Sequence, residues 1–220
     1  MGAVFSGMCI QAALGVEAIW GNIVIYVASK YKYNEPNLSL QFALIVFPCS
    51  FAVGSLAMQL GSVMMDHGVN PRVHIVIGAI LYAGGTYVSQ FAQSFSMFIL
   101  WYSVVAGIGF GLNYNLPLKV AWSYFPRHQT LVSGIILSCY SINAIVACTI
   151  STHIVNPDNS PPEVKVHIGQ SIESFYEHDS EQVKQLAKML TRLSEIIFAL
   201  FIVSLPFLQY NDSSDSAYGF

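Results

Sequence analysis

The chain has 220 residues, of which 54% are hydrophobic and only 10% charged, against about 25% charged in an ordinary soluble domain. With a mean hydropathy of +0.54, this composition excludes a water-soluble globule and points to a multi-pass membrane protein in a lipid bilayer. The formal net charge of −3 offers no basic footprint, so nucleic acid is excluded as a partner.

A helix needs roughly 20 residues to cross the hydrocarbon, and six apolar windows qualify: Val4 to Ala28, Leu40 to Met65, Val73 to Phe91, Phe95 to Leu118, Leu131 to Ile154 and Leu190 to Leu208. The expected fold is all-α with six transmembrane helices. Residues 1–155 would hold spans one to five, 156–189 a polar extramembrane loop with a short surface helix, 190–209 the sixth span and 210–220 a polar tail. Basic residues number two in the first connection (Lys30, Lys32) and three in the second and fourth (Arg72, Lys119, Arg127), which puts the N-terminus in the cytosol by a narrow margin.

The first window is too long for the apolar core of a signal peptide and lacks a basic leader, so it reads as a span. It carries Gln11, Gly15 and Asn22 on one stripe, and Glu17 and Gly21 on another. Glu17 is the sole carboxylate near the middle of any window. A central acidic group costs about 2.5 to 3.5 kcal/mol unless it is paired, protonated or hydrated. It is therefore either a proton or substrate contact, or a protonated group bonded to a neighbouring helix.

The fourth window contains Gly107-Ile-Gly-Phe-Gly-Leu-Asn-Tyr-Asn-Leu-Pro117. Gly107 and Gly111 are spaced for close helix packing, and Asn113, Tyr114 and Asn115 are candidates to line a pathway. Because the glycines lie inside an apolar helix, they do not form a dinucleotide fingerprint.

Asn156-Pro157-Asp158 ends the fifth window, and Asp179-Ser180-Glu181 has the character of a helix cap. The four cysteines, Cys9, Cys49, Cys139 and Cys148, lie in apolar runs without Cys-x-x-Cys spacing. They suggest neither a zinc site nor disulfides. No catalytic constellation occurs at membrane depth, so the chain reads as a non-enzyme without cofactor or metal.

The second connection, Gly61-Ser-Val-Met-Met-Asp66-His-Gly-Val-Asn-Pro71-Arg72, resembles the signature loop of the major facilitator superfamily. After the fourth span, Trp122-Ser-Tyr-Phe125-Pro126-Arg127 with Leu131-Val-Ser-Gly134 is similar to the monocarboxylate and oxalate/formate porter branch. The resemblance implies a six-helix half built of two inverted three-helix repeats, with the first and fourth helices facing a central cavity. It also implies that Asp66 and Arg72 brace a cytosolic gate.

The expectation is thus a secondary transporter for a small organic solute, such as a monocarboxylate with or without a proton, working by alternating access. Glu17, Trp20, Asn22, Asn113, Tyr114 and Asn115 would line its path. A missing second half or a second copy would complete it, since no Lys or Arg lies at the centre of a span to receive an anion. The rival expectation is a non-transporting membrane subunit, or a truncated product, derived from such a transporter.

Overall fold

A computed structural model of the chain describes residues 1–168 and 171–208; the polar tail of the sequence reading, from 210 onward, lies outside them. The described residues hold six long helices: α1 (Gly2–Lys32), α2 (Leu40–Asp66), α3 (Pro71–Ser89), α4 (Phe95–Tyr124), α5 (Gln129–Val155) and α6 (Glu181–Phe207). All but α3 are long and apolar enough to cross a membrane by length and composition. Helix α3, with Arg72 and His74 in its first turn, packs between α4 and α6. The protein is an all-α, multi-pass membrane bundle with one small hairpin added.

Local chemistry explains the helix starts. Ser39, Asn70, Ser94 and Ser180 each accept a first-turn backbone N–H through the side chain, which satisfies donors that a helix cannot satisfy itself. Pro71 occupies the first position of α3, where its missing N–H costs nothing. Helix α5 stops at Val155, two residues ahead of Pro157.

Helices α1 and α4 form the centre. In their most apolar windows 61% and 56% of residues are buried, against 17% in α5 and 28% in α2, so α2 and α5 present broad apolar faces outward. Without a hydrophobic force between helices in lipid, contact depends on small residues that let backbones approach. Gly54 of α2 faces Gly107 and Gly111 of α4, and a Cβ on Gly111 would fall on the Gly54 carbonyl. Gly109 abuts α3 in the same way, at Gly78 and Tyr82.

Between α5 and α6 the structure has an antiparallel hairpin, β1 (Val164–Ile168) and β2 (Ser171–Phe175), with Val164 opposite Phe175. The hairpin stands where a polar loop leading to a surface helix is expected, and its first strand alternates Val164, Val166 and Ile168 with Lys165 and His167. Residues Glu181 to Ser204 form one unbroken helix, so the surface helix and the sixth span are a single element.

Candidate functional site

Both central helices are irregularly wound over part of their length. Helix α1 tightens to a 3-10 turn over Gly15–Ile19, where Gly15 packs against the α5 backbone at Tyr140. Helix α4 loosens to π-type turns over Ile99–Val105 and breaks at Asn115. Such departures from regular winding mark functional segments, and broken helices near the midplane are typical of transporter sites.

Glu17 lies on the 3-10 turn and is 2% exposed. Side chains from four other helices surround it. Ser50 of α2 presents its hydroxyl, and Tyr82 of α3, Tyr102 of α4 and Tyr140 of α5 lie within reach of its charge. Among the described residues, Glu17 Oε1 and Ser50 Oγ have no hydrogen-bond partner, and no salt bridge involves Glu17. Tyr102 comes from the π-type stretch and packs on Trp20, 5.5 Å between centroids. Trp20, the residue that follows the 3-10 turn, therefore joins α1 to the π-type stretch of α4. Trp20 is also buried, with its indole N–H unpartnered among the described residues.

The other expected path residues are not gathered at this point. The Asn22 amide donates to Cys148 O, Ser151 Oγ and Thr152 Oγ1 of α5 at 3.3, 3.0 and 2.9 Å; it clamps α1 to α5. Asn113, fully buried, donates to Ile75 O of α3 at 3.3 Å and fills the space beside Gly78. Tyr114 is half-buried, packs on Phe110 and offers its backbone carbonyl to Gln11 Nε2 at 2.9 Å. Asn115 sits half-buried at the α4 break. Gly107 and Gly111 lie in the α2–α4 contact, Gly107 against Ser50.

At the end of the bundle formed by the α2–α3 turn, Asp66 pairs with Lys119 of α4 at 3.0 Å. Arg72 instead donates to Leu208 O of α6 at 3.2 Å, so the two residues assigned to one gate take different partners. Sequence reading missed Ser50, Tyr82 and Tyr140, whose common feature is convergence from three helices. It noted Lys119 without giving it a partner. The described cysteines are all free, and the described residues contain no cluster suited to a metal ion.

No established family profile matches the chain. It is similar to Apicoplast pyruvate carrier 1 of Toxoplasma gondii, with 23% identity over 237 residues covering 91% of this chain and 43% of that protein. It is also similar to Monocarboxylate transporter 12 of Homo sapiens, 33% identical over 43% of this chain and 18% of the relative. Monocarboxylate transporter 9 of Gallus gallus is 25% identical over 47% of the chain and 20% of the relative. The chain spans less than half the length of the curated relatives it matches.

Proposed function

We propose that this chain is one six-helix half of a major-facilitator-type secondary transporter for a small monocarboxylate, working by alternating access against a second six-helix unit. Two lines support this: the similarity to a pyruvate carrier along 91% of the chain, and the burial of Glu17 without a cation on the 3-10 turn of α1, three residues before the Trp20 that packs on Tyr102 of α4.

The second observation carries the mechanism. A carboxylate held among apolar and phenolic groups is costly when charged, so gain and loss of a proton at Glu17 alters the α1–α4 contact strongly. The carboxylate has the wrong sign to receive the solute. Its role is the co-transported proton, and the countercharge for the anion comes from the second unit, which meets the outward faces of α2 and α5. Asp66 and Lys119, with Arg72 behind them, close the cytosolic end.

Uptake of labelled pyruvate into proteoliposomes, driven by an inward proton gradient, tests the reading. Glu17→Gln is expected to abolish gradient-driven uptake while exchange of solute down its own gradient continues. Uptake by Glu17→Gln equal to that of the parent removes the proton role. No uptake by the parent chain, alone or with a second half supplied, favours the other reading, a membrane subunit retained for packing. The engagement of Asn22 and Asn113 in helix contacts suits that alternative.

A further inference from the structure

The break in α4 is held by side chains from two other helices. The helical stretch ends at Tyr114 and resumes at Leu116, so the last carbonyls before it have no N–H ahead of them to accept. Pro117 removes outright the donor that the Asn113 carbonyl would use. Two of these stranded carbonyls are taken from outside. Gln11 of α1 donates to Tyr114 O at 2.9 Å, and the His74 ring nitrogen Nε2 of α3 lies 2.9 Å from Leu112 O. Both side chains are fully buried.

The surroundings are shaped to fit. Gly61 of α2 leaves room for both His74 and the Leu112 carbonyl, while Gly7 of α1 lies in van der Waals contact with Pro117 and makes room for Ile136 of α5. Asn113 returns the His74 contact by donating to Ile75 O, so α3 and α4 exchange side-chain-to-backbone bonds on either side of one crossing. Beyond the break, the segment Leu116–Tyr124 carries Lys119 to Asp66 and Trp122 to Ser133 of α5, the latter bond 2.8 Å long.

We infer that Asn115–Pro117 is a hinge in α4, and that Gln11 and His74 are its two latches. They are positioning residues: bonded, they hold Leu116–Tyr124 in line with the bundle; released, they let that segment swing and separate Lys119 from Asp66. A helix interrupted by proline keeps its stranded carbonyls satisfied only through such neighbours. That makes the latch reversible at the scale of one or two hydrogen bonds. The consequence for gating rests on the transport reading above; the hinge itself does not.

Hydrogen exchange of the full chain in lipid nanodiscs tests the inference. Gln11→Leu and His74→Leu are each expected to raise amide exchange in Leu116–Tyr124 about fivefold, the factor one net hydrogen bond sets in an opening equilibrium. Exchange at the far ends of α1 and α5 stays as it was. His74→Gln, which keeps a donor, is expected to restore most of the protection.

Adding Pro117→Ala to either leucine variant returns the missing backbone donor and lowers exchange in the segment towards the parent value. A rise spread evenly through the bundle, no rise at all, or no recovery with Pro117→Ala overturns the hinge. Uptake of pyruvate is followed for the same variants in proteoliposomes with a second half supplied. Absence of uptake alongside the expected exchange pattern sinks the transport reading alone, whereas uptake with an unchanged exchange pattern sinks the hinge alone. With both intact, Pro117→Ala alone slows maximal uptake while leaving half-saturation unchanged.

Discussion

The two ends of the bundle are held together in different ways. At the hairpin end, the end of α1, the loop after it and the hairpin are tied to the neighbouring helix ends. Lys30 and Tyr31 donate to Gln90 O and Ala92 O after α3, at 2.9 and 3.0 Å, and Glu35 accepts from Phe95 N at the start of α4. Glu173 of the hairpin accepts from Leu40 N at the start of α2, and Ser29 accepts from Tyr176 N. At the opposite end, beyond the buried Gln11, His74 and Asn113 bonds around the α4 break, the side-chain ties across elements among the described residues are the Asp66–Lys119 pair, the Arg72 bond to Leu208 O and the Trp122–Ser133 bond. Local opening follows the density of such ties and of buried contacts, so the hairpin end is expected to be the fixed end and the terminal turns around Asp66 the moving one.

The largest effect is expected at Asn156. Its side chain donates to Ser160 O and Tyr176 Oη at 2.9 and 3.1 Å and accepts from Ser160 N at 2.9 Å, and the residue is 3% exposed. Each bond contributes about 1 kcal/mol, with more lost where a buried partner is orphaned. Asn156→Ala is therefore expected to cost about 3 kcal/mol in reversible unfolding from bicelles. A cost under about 1 kcal/mol would show that the hairpin sits on the bundle without bracing it.

Tyr176 provides a smaller and more selective probe of the same end. Its ring stacks on Tyr26 at 5.2 Å and its hydroxyl donates to Ser160 O at 2.8 Å. Burial, and then the neighbouring Tyr26, push its phenol up to about 12, above the ordinary value near 10. A group whose folded pKa is raised contributes stability that is complete below its unfolded pKa and is lost as pH rises through the folded one. The hairpin end should therefore loosen between about pH 10 and pH 12, seen as faster amide exchange in β2 together with phenolate absorbance. Tyr176→Phe should lack this step; if it keeps the step, another group is responsible.

How far the sequence foretold this contrast depends on the range over which each feature is encoded. Five of the six expected spans were legible because an apolar run of that length has one economical fate, and Glu17 stood out because no other carboxylate shares its place near the middle of a window. The ring of Ser50, Tyr82, Tyr102 and Tyr140 around it was not legible. Nothing in the sequence joins these residues to Glu17, and packing of separate helices creates the cluster.

Asn22 shows the same limit. Its stripe indicates a polar side of α1, while the structure shows that side turned to the hydroxyls of α5. The hairpin was overlooked for a different reason, since five-residue strands bearing Lys165, His167 and Glu173 carry little apolar signal. The α4 break was half visible: Pro117 announces it, but only the fold supplies Gln11 and His74 to hold it.

The smallest expected effect on stability, at Asp66, is also the one that defines the moving end. The Asp66 and Lys119 side chains are 69% and 29% exposed, and an ion pair so wetted contributes about 0 to 1 kcal/mol and weakens with salt. Asp66→Asn and Lys119→Ala should each change the unfolding free energy by less than about 0.5 kcal/mol, with the double variant no worse than either. Exchange in the α2–α3 turn and in Leu116–Tyr124 should nevertheless rise, since the pair joins those two segments, and added salt should raise it in the parent alone. A cost above about 1.5 kcal/mol for either single variant would mean that this end is braced as firmly as the other, and the division into a fixed and a moving end would fail.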